Sequence, residues 1–470
     1  MKFFTIFERI MRRVFPSTFT IALFLTLLTF ILALIFTGHV DLANSNKILY
    51  KNVISDPLSN SGNHFLQLVG FWYKGLWQTG LLAFAVQMML ILVLGYVLAS
   101  TRVFQKLIDN VLVYCTSTGR AALLVTFFTL VVSFFNWGLG LIFGAIFARK
   151  VGEFAKQKNL KLNYPLIVAA GYSGLMVWHG GISGSAPLKV AEKGHFLSLV
   201  GKDIPPVDFS KTIFSEMNIV ISIVLLIVLP VSLYLLGKYN TGTTGFKLNK
   251  QELKSNTDNY IAEGAEKLDY SGLISKSLGL GLITIAIYKA VLTGSLSVID
   301  PNYLNFVLLG LGLLFCRNIA GFLISVKNAM GAASGILIQF PLYFGIMGIM
   351  KYSGLVEIFS GFLMNISNET TFPVLTFFSA GLVNIFVPSG GGQWAVQGPI
   401  ILEAAQNLGI PAGKAIMALA YGDQVTNMLQ PFWALPLLGI TGLKAKEIIP
   451  YTMFLMVIGV VIFVGGLLMF

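Results

Sequence analysis

The chain has 470 residues, 56% of them hydrophobic and 11% charged, whereas a soluble domain carries about 25% charged residues. That excludes a soluble fold: apolar segments of about 20 residues recur from end to end, as a hydrocarbon core of roughly 30 Å requires. The formal charge of +12 carries no nucleic-acid signature, because all seven arginines (Arg9, Arg12, Arg13, Arg102, Arg120, Arg149, Arg317) stand at the ends of hydrophobic segments, where they report topology.

The N-terminal stretch MKFFTIFERIMRRVF is basic and amphipathic. No small-residue cleavage pattern follows it, so it reads as the uncleaved cytoplasmic start of a membrane protein. Spans at 17–37 and 79–99 return the chain to the inside at Arg102 and Lys106. The apolar stretch 121–148 is interrupted at FNWGLG, and the basic cluster after it (Arg149, Lys150, Lys156, Lys158, Lys161) also belongs inside. Charge logic therefore makes 121–148 a re-entrant hairpin that enters and leaves on one side. Spans 164–188 and 212–236 complete a first half, 1–237, and the polar stretch 238–271 is a cytoplasmic linker. The second half, 272–470, holds spans 272–292, 303–317, 328–350, 414–440 and 449–470, with a second hairpin over 371–402 that enters from outside. Cys115 and Cys316 lie far apart in apolar surroundings, so neither a disulfide nor a metal site is expected.

The halves repeat. TFF at 126–128 returns at 376–378, and Asn136-Trp137-Gly138-Leu139-Gly140 falls opposite Pro388-Ser389-Gly390-Gly391-Gly392. Tyr172 pairs with Tyr421, Pro187-Leu188 with Pro436-Leu437, and Gln87 with Gln339, in order and at spacings of 249 to 252 residues. The threading runs Gln87 inward and Gln339 outward, so the repeats are inverted. An all-α inverted-repeat protein with broken helices and a hairpin in each half has the architecture of a secondary transporter, with its site near the midplane where the broken pieces meet.

Polar residues gather at four interruptions. The first hairpin turns at Asn136, Trp137 and Gly138. GYSGLMVWHGGISGSAPL carries Ser173, His179, Ser183 and Ser185 among five glycines. The second hairpin carries Asn384, Ser389, Gly390, Gly391, Gly392, Gln393 and Gln397. YGDQVTNMLQPFWALP carries Tyr421, Asp423, Gln424, Thr426, Asn427 and Gln430. N–H groups at a half-helix N-terminus can receive a carboxylate, and glycine lets the backbone approach it. Stripping water from a carboxylate costs several kcal/mol, while a helix terminus returns about 0.3–1 and at best about 2. An anion is therefore expected to cross with a coupling cation, Na⁺ or H⁺, held by Asp423 with Asn384, Ser183 and Ser185. Acids inside a span are rare and usually functional. His179 reads either as a backbone-bonded residue or as a proton site. Trp394 and Trp433 read either as interfacial anchors or as pocket walls, and Glu216 and Glu403 as solvated.

The blocks VTFFTLVVSFFNWGLGLIFGAIFAR, GGISGSAPL, ILIQFPLYFGI, TFFSAGLVNIFVPSGGGQWAVQGP and MALAYGDQVTNMLQPFWALP resemble the short-chain fatty acid transporter family, the AtoE-type carriers, over essentially the whole chain. The resemblance implies a carrier of acetoacetate- and butyrate-like monocarboxylates in the bacterial cytoplasmic membrane. It also implies membership of the wider ion-transporter superfamily, whose members move a hairpin-bearing domain past a scaffold like an elevator. The motif carries Ser389, Gly390, Gly391, Gly392 and Gln393, together with Tyr421, Gln424 and Asn427, toward substrate binding. His179 departs from the pattern, which has glycine there. A modest pocket walled by Trp394 or Phe386 would suit a three-carbon tail worth about 0.8 kcal/mol per methylene. A homodimer is an open expectation.

Rival classes fare worse. A dicarboxylate or gluconate carrier wants a basic group at the site, and no span near the hairpins carries an arginine. No charge ring marks a channel. With four histidines, no H-E-x-x-H spacing and no phosphate-binding loop, neither an enzyme nor an ATP-driven pump is expected, and no cofactor beyond the coupling cation.

Overall fold

In hydrocarbon every backbone N–H and C=O must find an internal partner, which leaves helices or closed barrels; the described residues are helical and contain no strand. The computed structural model describes residues 16–42, 55–196, 205–239, 263–294 and 300–470, with Val53 and Val298. The basic stretch 1–15 and most of the expected linker lie outside them.

The first half holds α1 (Thr18–Phe36), α2 (His64–Leu76), α3 (Thr79–Ala99), α4 (Arg102–Leu112), α5 (Thr118–Phe135), α6 (Trp137–Gln157), α7 (Tyr164–Tyr172), α8 (Ser185–Ala191) and α9 (Glu216–Tyr239). The second holds α10 (Gly272–Thr293), α11 (Pro301–Phe315), α12 (Ile319–Tyr352), α13 (Leu355–Asn365), α14 (Phe372–Phe386), α15 (Gly390–Asn407), α16 (Ala412–Thr426), α17 (Pro431–Thr441) and α18 (Ala445–Met469). Among the described residues seven helices are long and apolar enough to cross a membrane. This is a multi-pass membrane protein. Exposed leucine, isoleucine, valine and phenylalanine side chains line α1, α9 and α10, the surface that a bilayer would cover.

The observed helices differ from the expected spans where length misleads. The segment at 328–350 is part of one 34-residue helix, α12. Helices α2, α4 and α13 have 13, 11 and 11 residues, too few to register against a 20-residue criterion. The 164–188 segment is helix only as far as Tyr172; it tightens to a 3₁₀ turn over Ser173–Met176 and becomes helical again at Ser185.

Helices α5 and α6 form an antiparallel hairpin that turns on one residue. Asn136 ends α5, and its Oδ1 caps α6 by accepting the Leu139 N–H at 2.9 Å. Both arms open toward one end of the molecule. There the Asn163 N–H donates to Thr118 Oγ1 (3.0 Å), Arg149 Nη1 to the Ile440 carbonyl (3.0 Å), and Asn163 Nδ2 to Tyr451 Oη (2.9 Å). We call this the basic end. Helix α9 reaches it at Gly237, beside Gly119, and its other end places Glu216 about 32 Å away. Gly413, early in α16, lies against the Lys211 carbonyl at that far end. The hairpin of α14 and α15 opens toward the far end, and Gln393 Nε2 holds its arms together by donating to the Ala380 carbonyl at 2.8 Å. The two hairpins thus open toward opposite ends of the molecule.

Candidate functional site

The two interrupted helices cross at their breaks. Tyr172 Oη donates to the Asn427 carbonyl at 2.8 Å and to the Gln430 carbonyl at 3.3 Å, taking up carbonyls freed by the 3₁₀ turn of Asn427–Leu429. In return, Gln424 Oε1 accepts the His179 N–H at 2.9 Å and the Gly180 N–H at 3.2 Å. Tyr421, the counterpart of Tyr172, donates through Oη to Asn218 Oδ1 at 2.9 Å, and Asn218 Nδ2 donates to the Gly180 carbonyl at 2.8 Å. Asn384 Nδ2 donates to the Asp423 carbonyl (2.6 Å), Thr426 Oγ1 (3.0 Å) and Asn427 Oδ1 (2.9 Å), and the Asn384 carbonyl accepts from Gln430 Nε2. Tyr421, Gln424 and Asn427 therefore form a brace in which Gln424 satisfies two backbone N–H groups of the interrupted segment directly, Tyr421 reaches the Gly180 carbonyl only through Asn218, and the Asn427 side chain accepts from Asn384; none of the three lines the cavity described next.

That cavity, of about 630 Å³, lies where the hairpin tips meet, and Asn136, Trp137, Gly138, Ser183, Ser185 and Gly391 line it. Its size suits a small-molecule site. Gly138 belongs to the first turn of α6, and Gly391 to the first turn of α15, so two helix N-termini from opposite ends of the molecule face one space. Ser389 Oγ caps α15 on the Gly392 N–H at 3.2 Å. The Trp137 N–H donates to Ser183 Oγ at 3.0 Å, and the Ile182 N–H to the Phe134 carbonyl at 2.8 Å, which ties the first tip to the interrupted segment. The apolar wall includes Phe84, Ile91, Trp137, Leu188 and Leu304, with Trp433 packed on Trp137 at a ring distance of 5.0 Å.

Behind the wall sits a buried pair. His179 is 0% and Asp423 1% exposed, and Nδ1 lies 2.5 Å from Asp423 Oδ2. His179 Nε2 accepts the Ala186 N–H at 3.0 Å. A backbone N–H can only donate, so Nε2 bears no proton, and Nδ1 carries one and donates it to Asp423 Oδ2. Asp423 Oδ1 has no hydrogen-bond partner among the described residues. A Cβ on Gly390 would meet His179 Cε1 and the Trp178 ring at 2.8 Å, so only glycine lets the second tip approach the pair this closely.

The sequence profile of a family described as "Short chain fatty acid transporter" matches residues 2–470. A curated protein of Escherichia coli K12 named "Putative short-chain fatty acid transporter" is 35% identical over 466 residues, covering 98% of both chains. One of the same name from Haemophilus influenzae is 35% identical over 410 residues, 86% of this chain and 90% of its own. The chain belongs to the short-chain fatty acid transporter family. Among solved structures, the Alcanivorax borkumensis YdaH transporter aligns over 97% of both chains at 16% identity and a TM-score of 0.42. Neisseria gonorrhoeae MtrF, described with a class of antimetabolite efflux pumps, aligns over 97% of both at 14% identity and a TM-score of 0.41.

In this family member the structure places Asn136, Trp137, Gly138, Ser183, Ser185 and Gly391 in the cavity wall, Tyr421, Gln424, Asn427 and Asn384 in the brace, and Asp423 in the buried pair, while Ser389, Gly390 and Gly392 build the second tip without lining the cavity. Gln393 falls in none of these sets: its amide donates to the Ala380 carbonyl and to Gln397 Oε1 (2.7 Å), and Gln397 in turn to Ser379 Oγ and to Ser360 Oγ of α13, a ladder that joins the arms of the second hairpin and ties them to α13. The expectation that Trp394 or Phe386 walls the pocket is corrected. Trp394 is buried one turn past the tip in a separate apolar cluster that includes Ala186, Ile401 and Leu419, and its Nε1 donates to His195 Nε2 at 2.9 Å. Trp433 backs the wall instead. Sequence reasoning missed Lys189, which lines the cavity one turn after Ser185 and bonds both carboxylate oxygens of Glu192 (2.9 and 3.0 Å). It also missed Asn218, an amide buried in an otherwise apolar span.

Proposed function

We propose that the chain is a secondary carrier of short-chain monocarboxylates in the bacterial cytoplasmic membrane, with its basic end in the cytoplasm, and that it couples transport to protons. The observation that carries this reading is the convergence of two helix N-termini, of 21 and 18 residues, on one cavity with an apolar wall. The N-termini suit a carboxylate and the wall a short alkyl tail. Lys189 is the one cation among the described lining residues, and it is paired with Glu192, so the cavity suits one carboxylate better than the two of a dicarboxylate.

The His179–Asp423 pair supports the coupling. A charged Asp423 behind the wall opposes an incoming carboxylate, and a proton taken up by the pair removes that opposition. By linkage, the bound carboxylate then favours the proton to the same degree. Ala186 joins the two sites, since it bonds His179 and follows the cavity residue Ser185. Butyrate uptake into proteoliposomes should follow an imposed proton gradient, and Asp423→Asn should abolish that dependence. Uptake driven by a Na⁺ gradient alone would overturn the proton assignment, and no uptake of any monocarboxylate would overturn the carrier.

A further inference from the structure

The side that α8 turns to the cavity ends in an ion pair. Ser185, Leu188 and Lys189 line the space, at the i, i+3 and i+4 positions that share one side of a helix, and Glu192 continues that side one residue past the end of α8. Lys189 Nζ donates to both Glu192 carboxylate oxygens, at 2.9 and 3.0 Å, and about half of each side chain is exposed. We propose that Glu192 is the residue that limits the cavity to one carboxylate, because it holds Lys189 as the far carboxylate of a dicarboxylic acid would. The proposal rests on the carrier reading above.

The place of the pair sets what it can recognise. A Cβ on Gly391, in the first turn of α15, would stand 3.8 Å from Ser185 Cβ, so Ser185 lies level with the second tip. Lys189 stands one turn further along α8, a rise of about 6 Å. A carboxylate at the tip N-termini leaves the rest of its molecule to the apolar wall or to this turn of α8. The alkyl tail of butyrate suits the wall. A four-carbon dicarboxylate brings a second charge, and Lys189 is the one cation among the described lining residues. An ammonium has three donors, and Glu192 takes two of them. Asp300, another lining residue, is an acid fixed in place, since it caps α11 by accepting the Tyr303 N–H at 2.7 Å. Lys189 alone would attract a second carboxylate, whereas Lys189, Glu192 and Asp300 together carry one net negative charge and repel it. A repulsive element of this kind selects between substrates without improving the fit of the preferred one. An exposed pair within one helical turn contributes little to folding, so its effect falls on what enters the cavity.

The test replaces Glu192 by glutamine, which keeps the shape of the side chain and removes its charge. Uptake of labelled butyrate into proteoliposomes is measured against added succinate at about pH 7.5, well above the range in which carboxyls titrate. Succinate should compete about fivefold more strongly in Glu192→Gln than in the parent, the upper value for an exposed ion pair, and butyrate KM should change less. Adding Lys189→Gln to Glu192→Gln should remove the gain. Asp300→Asn takes an equal charge from the lining but leaves Lys189 paired, and asparagine caps a helix as well as aspartate does, so its gain should be smaller. Three outcomes overturn the proposal: no gain in succinate competition at Glu192→Gln while butyrate is still taken up, an equal gain at Asp300→Asn, or a gain that survives the loss of Lys189. The last two would reduce the effect to net charge alone. Failure of the carrier reading would instead show as no butyrate uptake by the parent chain.

Discussion

The two hairpins come from matching stretches of one repeat, yet their tips are held by different means. The first tip is tied by hydrogen bonds: Asn136 closes both of its helices, and Phe134 and Trp137 bond backbone to the segment at Ile182–Ser183 within the same half. The second turns over three residues, Val387 to Ser389, and its Gly390 meets the other half at Trp178 and His179 through close fit. The arms differ as well. The first pair is drawn together by glycine, with Gly140 against Ser133 and Gly144 against Thr129; the second is joined by the ladder of Gln393, Gln397 and Ser379. A bonded tip is sensitive to loss of donors and acceptors, whereas a fitted tip is sensitive to added volume. The fitted tip also adjoins the His179–Asp423 pair, so a change in that pair has a direct contact through which to move it.

Added volume gives the largest effects. At Gly140→Ala the new methyl would lie 1.8 Å from Ser133 Oγ and 2.6 Å from Ser133 Cα. The neighbour is backbone, so the arms must part, and a loss at the upper end of the usual 1–3 kcal/mol for overpacking, or about 3 kcal/mol, is expected in a detergent unfolding measurement. Gly390→Ala should leave folding closer to intact but lower butyrate uptake about 10- to 100-fold, the equivalent of 1–3 kcal/mol of misfit. Gly391→Ala is the control. Its methyl would meet Ser185 Cβ at 3.8 Å, an ordinary contact that leaves the tip in place; because Gly391 lines the cavity, any loss of uptake should come as a raised butyrate KM with kcat held, and should stay well below the loss at 390. Equal damage at 390 and 391 would refute the fitted tip.

The hairpins were legible before the fold because asparagine, proline and glycine interrupt apolar runs where nothing else does, and because a basic cluster followed the first return. Burial of the polar residues in YGDQVTNMLQ was legible too. Which way they face was not. Period and composition say that Tyr421, Gln424 and Asn427 are inside the protein, but an interrupted helix offers bare backbone groups and buried amides as well as a ligand, and here backbone takes Gln424 while Asn218 and Asn384 take Tyr421 and Asn427. The pairing of His179 with Asp423 spans 244 residues and depends on how two breaks cross, which no local pattern encodes. Trp394 misled for the same reason: its position beside the glycine run suggested the cavity, but one turn of helix points it away.

Loss of hydrogen bonds gives the smaller effects, and these sharpen the comparison most. Asn136→Ala removes an N-cap, worth about 0.5–2 kcal/mol, at a residue that is also the whole link between α5 and α6, so the upper part of that range is expected. Ser389→Ala removes the corresponding cap of α15 from a turn with two further residues to absorb the change, and about 1 kcal/mol is expected. Ser389→Gly should cost only a few tenths, because glycine at a cap leaves the amide open to water. The order of unfolding midpoints is then Asn136→Ala lowest, Ser389→Ala next, and Ser389→Gly close to the parent. Uptake should separate them differently: Asn136 faces the cavity and Ser389 does not line it, so butyrate KM should rise for Asn136→Ala and hold for both Ser389 variants. If Ser389→Ala were to lose as much stability as Asn136→Ala, the second tip would be tied by its cap after all, and the contrast between a bonded and a fitted hairpin would fall.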